Sequence, residues 1–259
     1  MSVQQFTPEI AITQLPTEAV QTWDVDDFAS ETDVKLELAA MFYKGVQTIR
    51  EVLRDYQAIF KIGSSTGKDS SVCVEMAIEA YAQAIEAGEI PNDHPLIIIT
   101  SNTLVEHLVF DIYCRYTVNK VKDYAATRGV SLHYLLASPG IPDSFAGRYL
   151  SAQKLAIHPK LNSDCTDIFK ISPSNQVLAD FLSGLPESKK ILPLVDISGS
   201  RDEESATRKA NIKKSGATSA ITSEQHAMLA AGGGRGQKPI KLAPIKLWTR
   251  DDVWMYLDM

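Results

Sequence analysis

The spacing of apolar residues along the chain predicts alternating helices and strands. Between Glu31 and Tyr56, apolar residues recur at helical intervals, with Ser30 in the N-cap position. Short apolar runs also occur, and such runs are typical of buried parallel strands. The predicted strands cover residues 58–63, 95–101, 130–136 and 191–198. The other predicted helices cover residues 70–87, 104–128 and a final segment from residue 250, which Thr249 would cap.

Strands that alternate with helices predict an α/β fold. We expect a doubly wound, mostly parallel sheet with helices on both faces. Residues 1–57 are expected to form an N-terminal arm and a packing helix, and residues 58–259 the main domain. Two long stretches lack periodicity. The first, 137–164, is expected to be functional or a lid, and the second, 215–238, is small, polar and expected to be mobile.

Composition limits the kinds of protein that this chain can be. Its 259 residues, 44% of them hydrophobic and 22% charged, suit one substantial α/β domain with a buried core. Apolar runs are shorter than a membrane span and the N-terminus lacks a signal-like region, so we expect a cytoplasmic protein with no membrane partner. The net charge of −6 argues against wholesale wrapping of nucleic acid but allows local basic patches. The three cysteines form no disulfide framework.

The segment 61–71 carries the strongest chemical signal. A predicted strand enters a loop of small residues that continues into a helix, and such loops bring the free N–H groups of a helix N-terminus to a phosphate. Three residues separate Gly63 from Gly67, and an aspartate follows Lys68, so the spacing excludes a Walker loop. The better match is Ser-Gly-Gly-x-Asp-Ser over residues 65–70, the pyrophosphate loop of enzymes that split ATP between its α- and β-phosphates.

Two features of this loop leave alternatives open. Thr66 occupies a position where the pattern has glycine, and we expect it to be tolerated only with a negative φ. An ordinary helix N-cap made by Asp69 or Ser70 would also account for the small residues.

Polar residues also follow the fourth predicted strand, at the sheet edge where α/β folds place their sites. Gly199 ends the strand, and Arg201 has a planar guanidinium that suits a phosphate. Glu204 would orient Arg201 or Arg208. A solvated helix start with a Glu204–Arg208 ion pair is the alternative.

A single cysteine, Cys165, lies among polar residues beside a predicted helix start, with Lys170 a turn and a half further along. Free cysteines are commonly buried packing residues, whereas polar surroundings favour a thiolate or a metal ligand. Both interpretations stay open at this point.

Taken in order, these segments resemble the phosphoadenosine-phosphosulfate reductase family within the pyrophosphate-loop, adenine nucleotide α-hydrolase-like superfamily. The resemblance covers most of residues 58–257 and makes the main domain a pyrophosphate-loop nucleotide-binding domain. Its matching pieces are Ser65–Ser70, Ser101–Glu106, Cys165–Pro173, Gly199–Arg208 and the Trp-Thr-x-Asp-Asp-Val-Trp-x-Tyr-Leu run that ends at Leu257. Within the family, Ser101–Glu106 and the Glu-Glu-Ser-x-x-Arg block are most similar to the DNA phosphorothioation proteins DndC and SspD.

The resemblance implies an ATP pyrophosphatase that splits the α–β bond and so activates the DNA backbone for sulfur incorporation. Positioning and electrostatics carry such chemistry. The implied catalytic residues are Lys68, Asp69, Arg201 and Arg208, with Asp69 bracing the loop or meeting Mg²⁺. The implied cofactor-binding residues are Ser64, Ser65, Thr66, Gly67, Lys68, Ser70, Ser71, Ser101, Asn102, Thr103, Cys165 and Gly199. The loop would hold the β,γ-pyrophosphate, and residues 101–103 would lie beside the adenosine.

The resemblance also implies partners. ATP with Mg²⁺ is expected, together with other sulfur-transfer proteins, including a cysteine desulfurase, and DNA reached through a complex. Proteins similar to DndC hold an iron–sulfur cluster with four cysteines. Because only Cys165 lies in a matching motif, we expect no cluster within this chain alone. Two basic clusters are candidates for DNA contact. The first is Arg208, Lys209, Lys213 and Lys214, for which a solvated helix face is the alternative, and the second is Arg235, Lys238, Lys241 and Lys246.

Two other functions remain open. One is sulfate assimilation, by a phosphoadenosine-phosphosulfate reductase or the small subunit of a sulfate adenylyltransferase. The reductase's C-terminal catalytic cysteine is absent from this sequence, which argues against reduction. The other is a catalytically inactive nucleotide-binding scaffold, which Thr66 in the loop would suggest.

Overall fold

The computed structural model describes residues 25–153, 166–233 and 240–259, without the side chains of 25–31 and 206–208. Its strands are β1 (Ile59–Gly63), β2 (Leu96–Ser101), β3 (Leu132–Ala137), β4 (Leu194–Ile197) and β5 (Ile240–Leu242). Its helices are α1 (Val25–Tyr56), α2 (Lys68–Glu86), α3 (Leu108–Thr127), α4 (Ser172–Ser183), α5 (Glu187–Lys190), α6 (Ala206–Ser215), α7 (Ser223–Ala230) and α8 (Arg250–Leu257). Shorter helical turns lie at Ile141–Asp143, Ala146–Leu150 and Asp167–Ile171.

The five strands form one sheet in the order β3-β2-β1-β4-β5, and every strand pairing is parallel. The predicted α/β fold is therefore confirmed, with helices around a wholly parallel sheet. The chain runs outward from β1 to β3 and then returns to the other side of β1. Parallel α/β sheets bind their ligands at such a reversal, outside the carboxyl ends of the strands. The site is therefore expected in the crevice between β1 and β4.

One face of the sheet packs on the main hydrophobic core. Phe60 and Ile62 project from β1 into this core, which α1 and α2 cover. The opposite face is only partly covered. Ile97 and Ile99 of β2 meet α4 through Leu178, whereas β1, β4 and β5 carry charged residues on that side.

Several element boundaries differ from the sequence predictions. Helix α1 begins at Val25, so Ser30 lies inside the helix and does not cap it. Helix α3 begins later than predicted, after His107, whose ring accepts a hydrogen bond from the Val109 N–H. Part of the stretch that was expected to be mobile forms α7, which a capping box stabilises. Thr249 caps the last helix as predicted.

The domain division after residue 57 stays a prediction. Within the described part of the chain, no helix is both long and apolar enough to cross a bilayer.

Candidate nucleotide-binding site

The loop after β1 lies at the crevice between β1 and β4 and is anchored to β2. Ser64 donates its backbone N–H to the Ile99 carbonyl at 2.9 Å. The Ser64 carbonyl in turn accepts from Thr100 Oγ1 at 2.9 Å, and both of these polar residues are buried. These two bonds hold the start of the loop at the carboxyl end of the sheet.

The first turn of α2 receives no hydrogen bond from a capping side chain. Gly67 is the N-cap residue, with extended backbone at φ −85°. The hydroxyls of Ser70 and Ser71 both donate back to the Gly67 carbonyl, at 2.9 and 3.0 Å, instead of accepting from N–H groups. The alternative in which Asp69 or Ser70 caps the helix is therefore wrong. Free N–H groups and the positive end of the helix dipole remain directed at the crevice, as an anion site requires.

The backbone of Thr66 contradicts one expectation. Its φ is +56°, in the left-handed region, where a negative φ had been predicted. The buried residue is held from several sides: its N–H donates to Ser64 Oγ at 3.2 Å, and its hydroxyl donates to the Ser65 carbonyl at 2.6 Å. The hydroxyl also lies 3.1 Å from Cys114 Sγ on α3. The loop thus keeps the conformation that glycine adopts most easily, with a β-branched residue in it.

A carboxylate joins the loop to the segment after β4. Arg201, which is 3% exposed, donates from Nε to Asp69 Oδ1 at 2.7 Å. The other oxygen, Asp69 Oδ2, accepts from Lys68 Nζ at 2.8 Å. Each oxygen of Asp69 therefore accepts a hydrogen bond from a cationic side chain. Through these two bonds Asp69 braces the loop. Contact between Asp69 and Mg²⁺ stays a prediction.

Arg201 has a second acidic partner that the sequence did not identify. Its Nη1 donates to Glu203 Oε2 at 3.3 Å, and the same oxygen accepts from the Arg250 N–H at 2.7 Å, at the start of α8. The sequence had suggested Glu204 for this role. Adjacent acids in a turn cannot be told apart by spacing, because a turn has no fixed side-chain period. These residues line a polar cleft of about 520 Å³: Lys68, Arg201, Glu203, Glu204 and Arg250.

Gly199 lets the segment after β4 approach the loop closely. A Cβ at this position would lie 3.0 Å from the Asp69 carbonyl carbon and 3.1 Å from the Ser70 nitrogen. Both atoms belong to the backbone, so neither can move aside cheaply. The sequence grouped Gly199 with the cofactor-binding residues, and the structure gives it a packing role beside the loop.

A larger cleft of about 980 Å³ opens on the other side of the loop, where Ser64, Ser65 and Ser101 face it. Ser101 Oγ lies 3.0 Å from Ser174 Oγ of α4, a residue that the sequence did not single out. The side chains of the next two residues are used within their own turn. Asn102 Oδ1 accepts from the Leu104 N–H at 2.8 Å, and Thr103 Oγ1 donates to Glu106 Oε1 at 2.8 Å.

Two predicted residues cannot be compared with the structure. Cys165 lies outside the described residues, and Arg208 lies on α6 without a described side chain. Cys73 is buried in α2, and burial raises the pKa of its thiol, so it remains protonated. Among the residues that the structure describes, no group of three or more His, Cys, Asp or Glu is arranged to hold a metal ion.

The fold and the site define a class of protein: a parallel α/β protein in which a loop of small residues leads into an uncapped helix N-terminus at the reversal point of the sheet. A family model described as the phosphoadenosine phosphosulfate reductase domain matches residues 60–259. The chain therefore belongs to the phosphoadenosine phosphosulfate reductase domain family, as the sequence predicted. Members of this family are enzymes that use adenine nucleotides in sulfur chemistry. The particular similarity to DndC and SspD stays a prediction.

Among solved structures, the chain is similar to the U34-tRNA thiolase NcsA from Methanococcus maripaludis with its [4Fe-4S] cluster. The identity is 16% and the TM-score 0.42, over 85% of this chain and 64% of that chain. The match thus spans less than two thirds of the thiolase structure. No match was found among curated proteins.

Proposed function

We propose that this protein is an ATP pyrophosphatase that splits ATP at the α–β bond and so activates the DNA backbone for sulfur incorporation. The observation that carries the proposal is the loop itself. The uncapped N-terminus of α2 lies beside Lys68 and Arg201, which are both held on Asp69. One helix terminus and two cations at the reversal point of a parallel sheet suit a pyrophosphate leaving group.

The chemistry that these residues support is displacement at the α-phosphorus. An acceptor oxygen forms a bond to that phosphorus while the bond to pyrophosphate breaks. The N–H groups of α2 bind the departing pyrophosphate, and Lys68 and Arg201 stabilise the charge that develops on it. AMP then leaves when a sulfur nucleophile attacks the activated acceptor. Asp69, whose side chain is partly buried, keeps both cations in place before the substrate arrives, which lowers the cost of orienting them.

Magnesium is expected to enter with the nucleotide. The polar cleft carries two carboxylates beside the cations, Glu203 and Glu204, and oxygen ligands of this kind suit Mg²⁺ that is already bound by phosphates. When bound, the ion neutralises phosphate charge. Asp69 is the third candidate, although both of its oxygens already accept hydrogen bonds.

Sulfur-transfer proteins, including a cysteine desulfurase, are the proposed partners, and DNA is the proposed acceptor.

Two alternative functions are each supported by one specific observation. The matched family model is named for a sulfonucleotide reductase, which favours sulfate assimilation. The positive φ of Thr66 favours a scaffold whose catalysis is lost, because the strained residue replaces glycine in the pyrophosphate pattern.

The direct test is release of pyrophosphate from ATP with Mg²⁺ and DNA. We expect wild type to release pyrophosphate, and Lys68→Gln to lower the rate by roughly a hundredfold, as the loss of one charge-stabilising group does. Lys44→Gln, an exposed lysine on α1, is the matched control and should retain the wild-type rate. Equal rates for the two variants would contradict the assignment. Turnover that appears only in Thr66→Gly would favour the scaffold, and adenylylation of sulfate would favour sulfate assimilation.

A further inference from the structure

Three charged residues stand side by side on the partly covered face of the sheet. Lys61 of β1, Asp196 of β4 and Lys241 of β5 are register partners. Strand residues in register project to the same side, here the face that α4 covers in part. Parallel sheets usually bury apolar residues on both faces, so a charged row across three neighbouring strands, one of them the central strand, needs an explanation. Lys61 and Asp196 form an ion pair of 2.9 Å and stay 19% and 25% exposed.

This charged row is the floor of a groove between two helices. The cleft of about 980 Å³ and a neighbouring one of about 450 Å³ share Lys61, Gly63, Asp196 and Lys241. The first is walled by α4 and the turn before it, and the second by α6. From β1 to β5 the floor spans two strand spacings, about 10 Å, which admits one polymer backbone. At the carboxyl end of β1 the groove reaches the nucleotide loop at Ser65.

The groove is cationic although the protein is acidic. Its lining carries three lysines, Lys61, Lys170 and Lys241, against one carboxylate, Asp196. Among the described residues, the ammonium groups of Lys170 and Lys241 have neither a hydrogen bond nor an ion pair, whereas the whole chain has a net charge of −6. Two cations that have no partner among the described residues, in a walled groove, favour a ligand with several negative charges.

The positive charge continues past the groove along α6. Asn211 and Ser215 of this helix line the groove, and Lys214 lies on the same side of the helix, three residues after Asn211. Lys209 and Lys213 are also exposed. A small anion would need only the groove floor, whereas cations that extend along a rim match a chain of phosphates. Of the other predicted DNA contacts, Lys246 Nζ donates to the Ala217 carbonyl at 3.4 Å. Arg235 and Lys238 lie outside the described residues and stay predictions.

We infer that this groove binds the phosphodiester backbone of a single-stranded nucleic acid, with Lys241 and Lys170 as its principal phosphate contacts. This inference rests on the proposed function, because the strand in the groove would be the acceptor of that reaction. Helix α2 lies on the opposite face of the sheet, so Ser64 and Ser65 lie between the pyrophosphate site and the groove. A backbone phosphate in the groove would therefore lie beside the loop proposed to hold the nucleotide.

The test is fluorescence anisotropy with a labelled single-stranded oligodeoxynucleotide, without ATP, over a series of salt concentrations. We expect the double variant Lys170→Gln/Lys241→Gln to bind roughly tenfold more weakly or worse than wild type. Its salt slope should be smaller by about 1.4, since each phosphate contact contributes about 0.7 for single strands. The variant Lys170→Arg/Lys241→Arg keeps both charges and should retain binding and slope.

Lys44→Gln removes an exposed lysine from α1, on the other side of the sheet, and is the matched control. The inference is overturned if wild type does not bind the oligonucleotide, or if the double variant and Lys44→Gln bind equally. Displacement of the strand by inorganic phosphate at equal phosphate concentration would also overturn it, since the groove would then recognise isolated phosphates. Pyrophosphate release is measured on the same samples. Release without strand binding refutes the groove alone, and strand binding without release refutes the proposed function alone.

Discussion

At the scale of single residues, Thr66 decides how the loop is held. A β-branched residue at φ +56° carries a cost of about 1–2 kcal/mol relative to glycine. The hydroxyl offsets this cost by donating to the Ser65 carbonyl, and it contacts Cys114 Sγ. At Thr66 the left-handed backbone thus lowers the stability of the protein, whereas the hydrogen bond of the hydroxyl raises it.

Substitution of Thr66 separates the two effects. Thr66→Gly removes both the strain and the hydroxyl, so we expect its free energy of unfolding to stay within about 1 kcal/mol of wild type. Thr66→Val keeps the branching and loses the hydrogen bond, so it should be about 1–2 kcal/mol less stable. Urea denaturation measures both variants. If Thr66→Gly loses as much stability as Thr66→Val, backbone strain is not what the hydroxyl offsets.

The bracing carboxylate gives a second prediction at this scale. Asp69→Asn leaves the buried Arg201 without its closest charge partner, so we expect unfolding to become easier by roughly 3 kcal/mol. Asp111→Asn is the matched control, because Asp111 pairs with an Arg115 side chain that is 72% exposed and should cost about 1 kcal/mol or less. Thermal melting of both variants checks the difference. Equal losses would mean that Asp69 does not hold a buried charge.

At the scale of elements, the segment after β4 and the loop after β1 meet at Gly199. Gly199→Ala would place a Cβ within 3.0–3.1 Å of the backbone of Asp69 and Ser70. We expect a loss of about 1–3 kcal/mol from overpacking, and weaker ATP binding because α2 is pushed away from the crevice. Calorimetric titration with ATP measures the second effect. Wild-type affinity in this variant would show that the close approach does not shape the site.

The strands also depend on a buried histidine before β2. His94 is 1% exposed, with Nε2 3.1 Å from the Ala58 carbonyl, and burial lowers its pKa. The unfolded chain, with a histidine pKa of about 6.5, then binds more protons, so stability is full above that pH and falls as pH decreases below it. We expect the melting temperature of wild type to fall more steeply than that of His94→Gln as the pH is lowered from about 7 to about 5. Parallel profiles would contradict a buried neutral imidazole.

At the scale of the whole molecule, hydrophobic pattern was enough to predict four of the five strands that the structure describes, but not β5. The run that became β2 is apolar on both faces, the run that became β1 is apolar apart from Lys61, and the segment from 65 to 70 has the spacing of a pyrophosphate loop. The sequence predicted a helix start beside Cys165 but not the bounds of α4, which has Pro173 in its first turn. The contact between Arg201 and Asp69 spans 132 residues, and no local period can indicate such a pair.

The charged row on the sheet face shows a further limit of pattern alone. Lys61 interrupts an apolar strand, which the sequence presents as a single exception. Only the register of β1, β4 and β5 brings Lys61 together with Asp196 and Lys241. Strand order and register are set by tertiary packing, so residues far apart in sequence form one groove that no motif predicts.

If the loop holds the nucleotide as proposed, ATP is cleaved between its α- and β-phosphates. Phosphorus NMR of ATP, incubated with the protein, Mg²⁺ and single-stranded DNA, identifies the products directly. We expect resonances of pyrophosphate and AMP, or of an adenylylated acceptor in place of free AMP, and their loss in Lys68→Gln. Resonances of ADP and orthophosphate would contradict the proposal, because they require attack at the γ-phosphate.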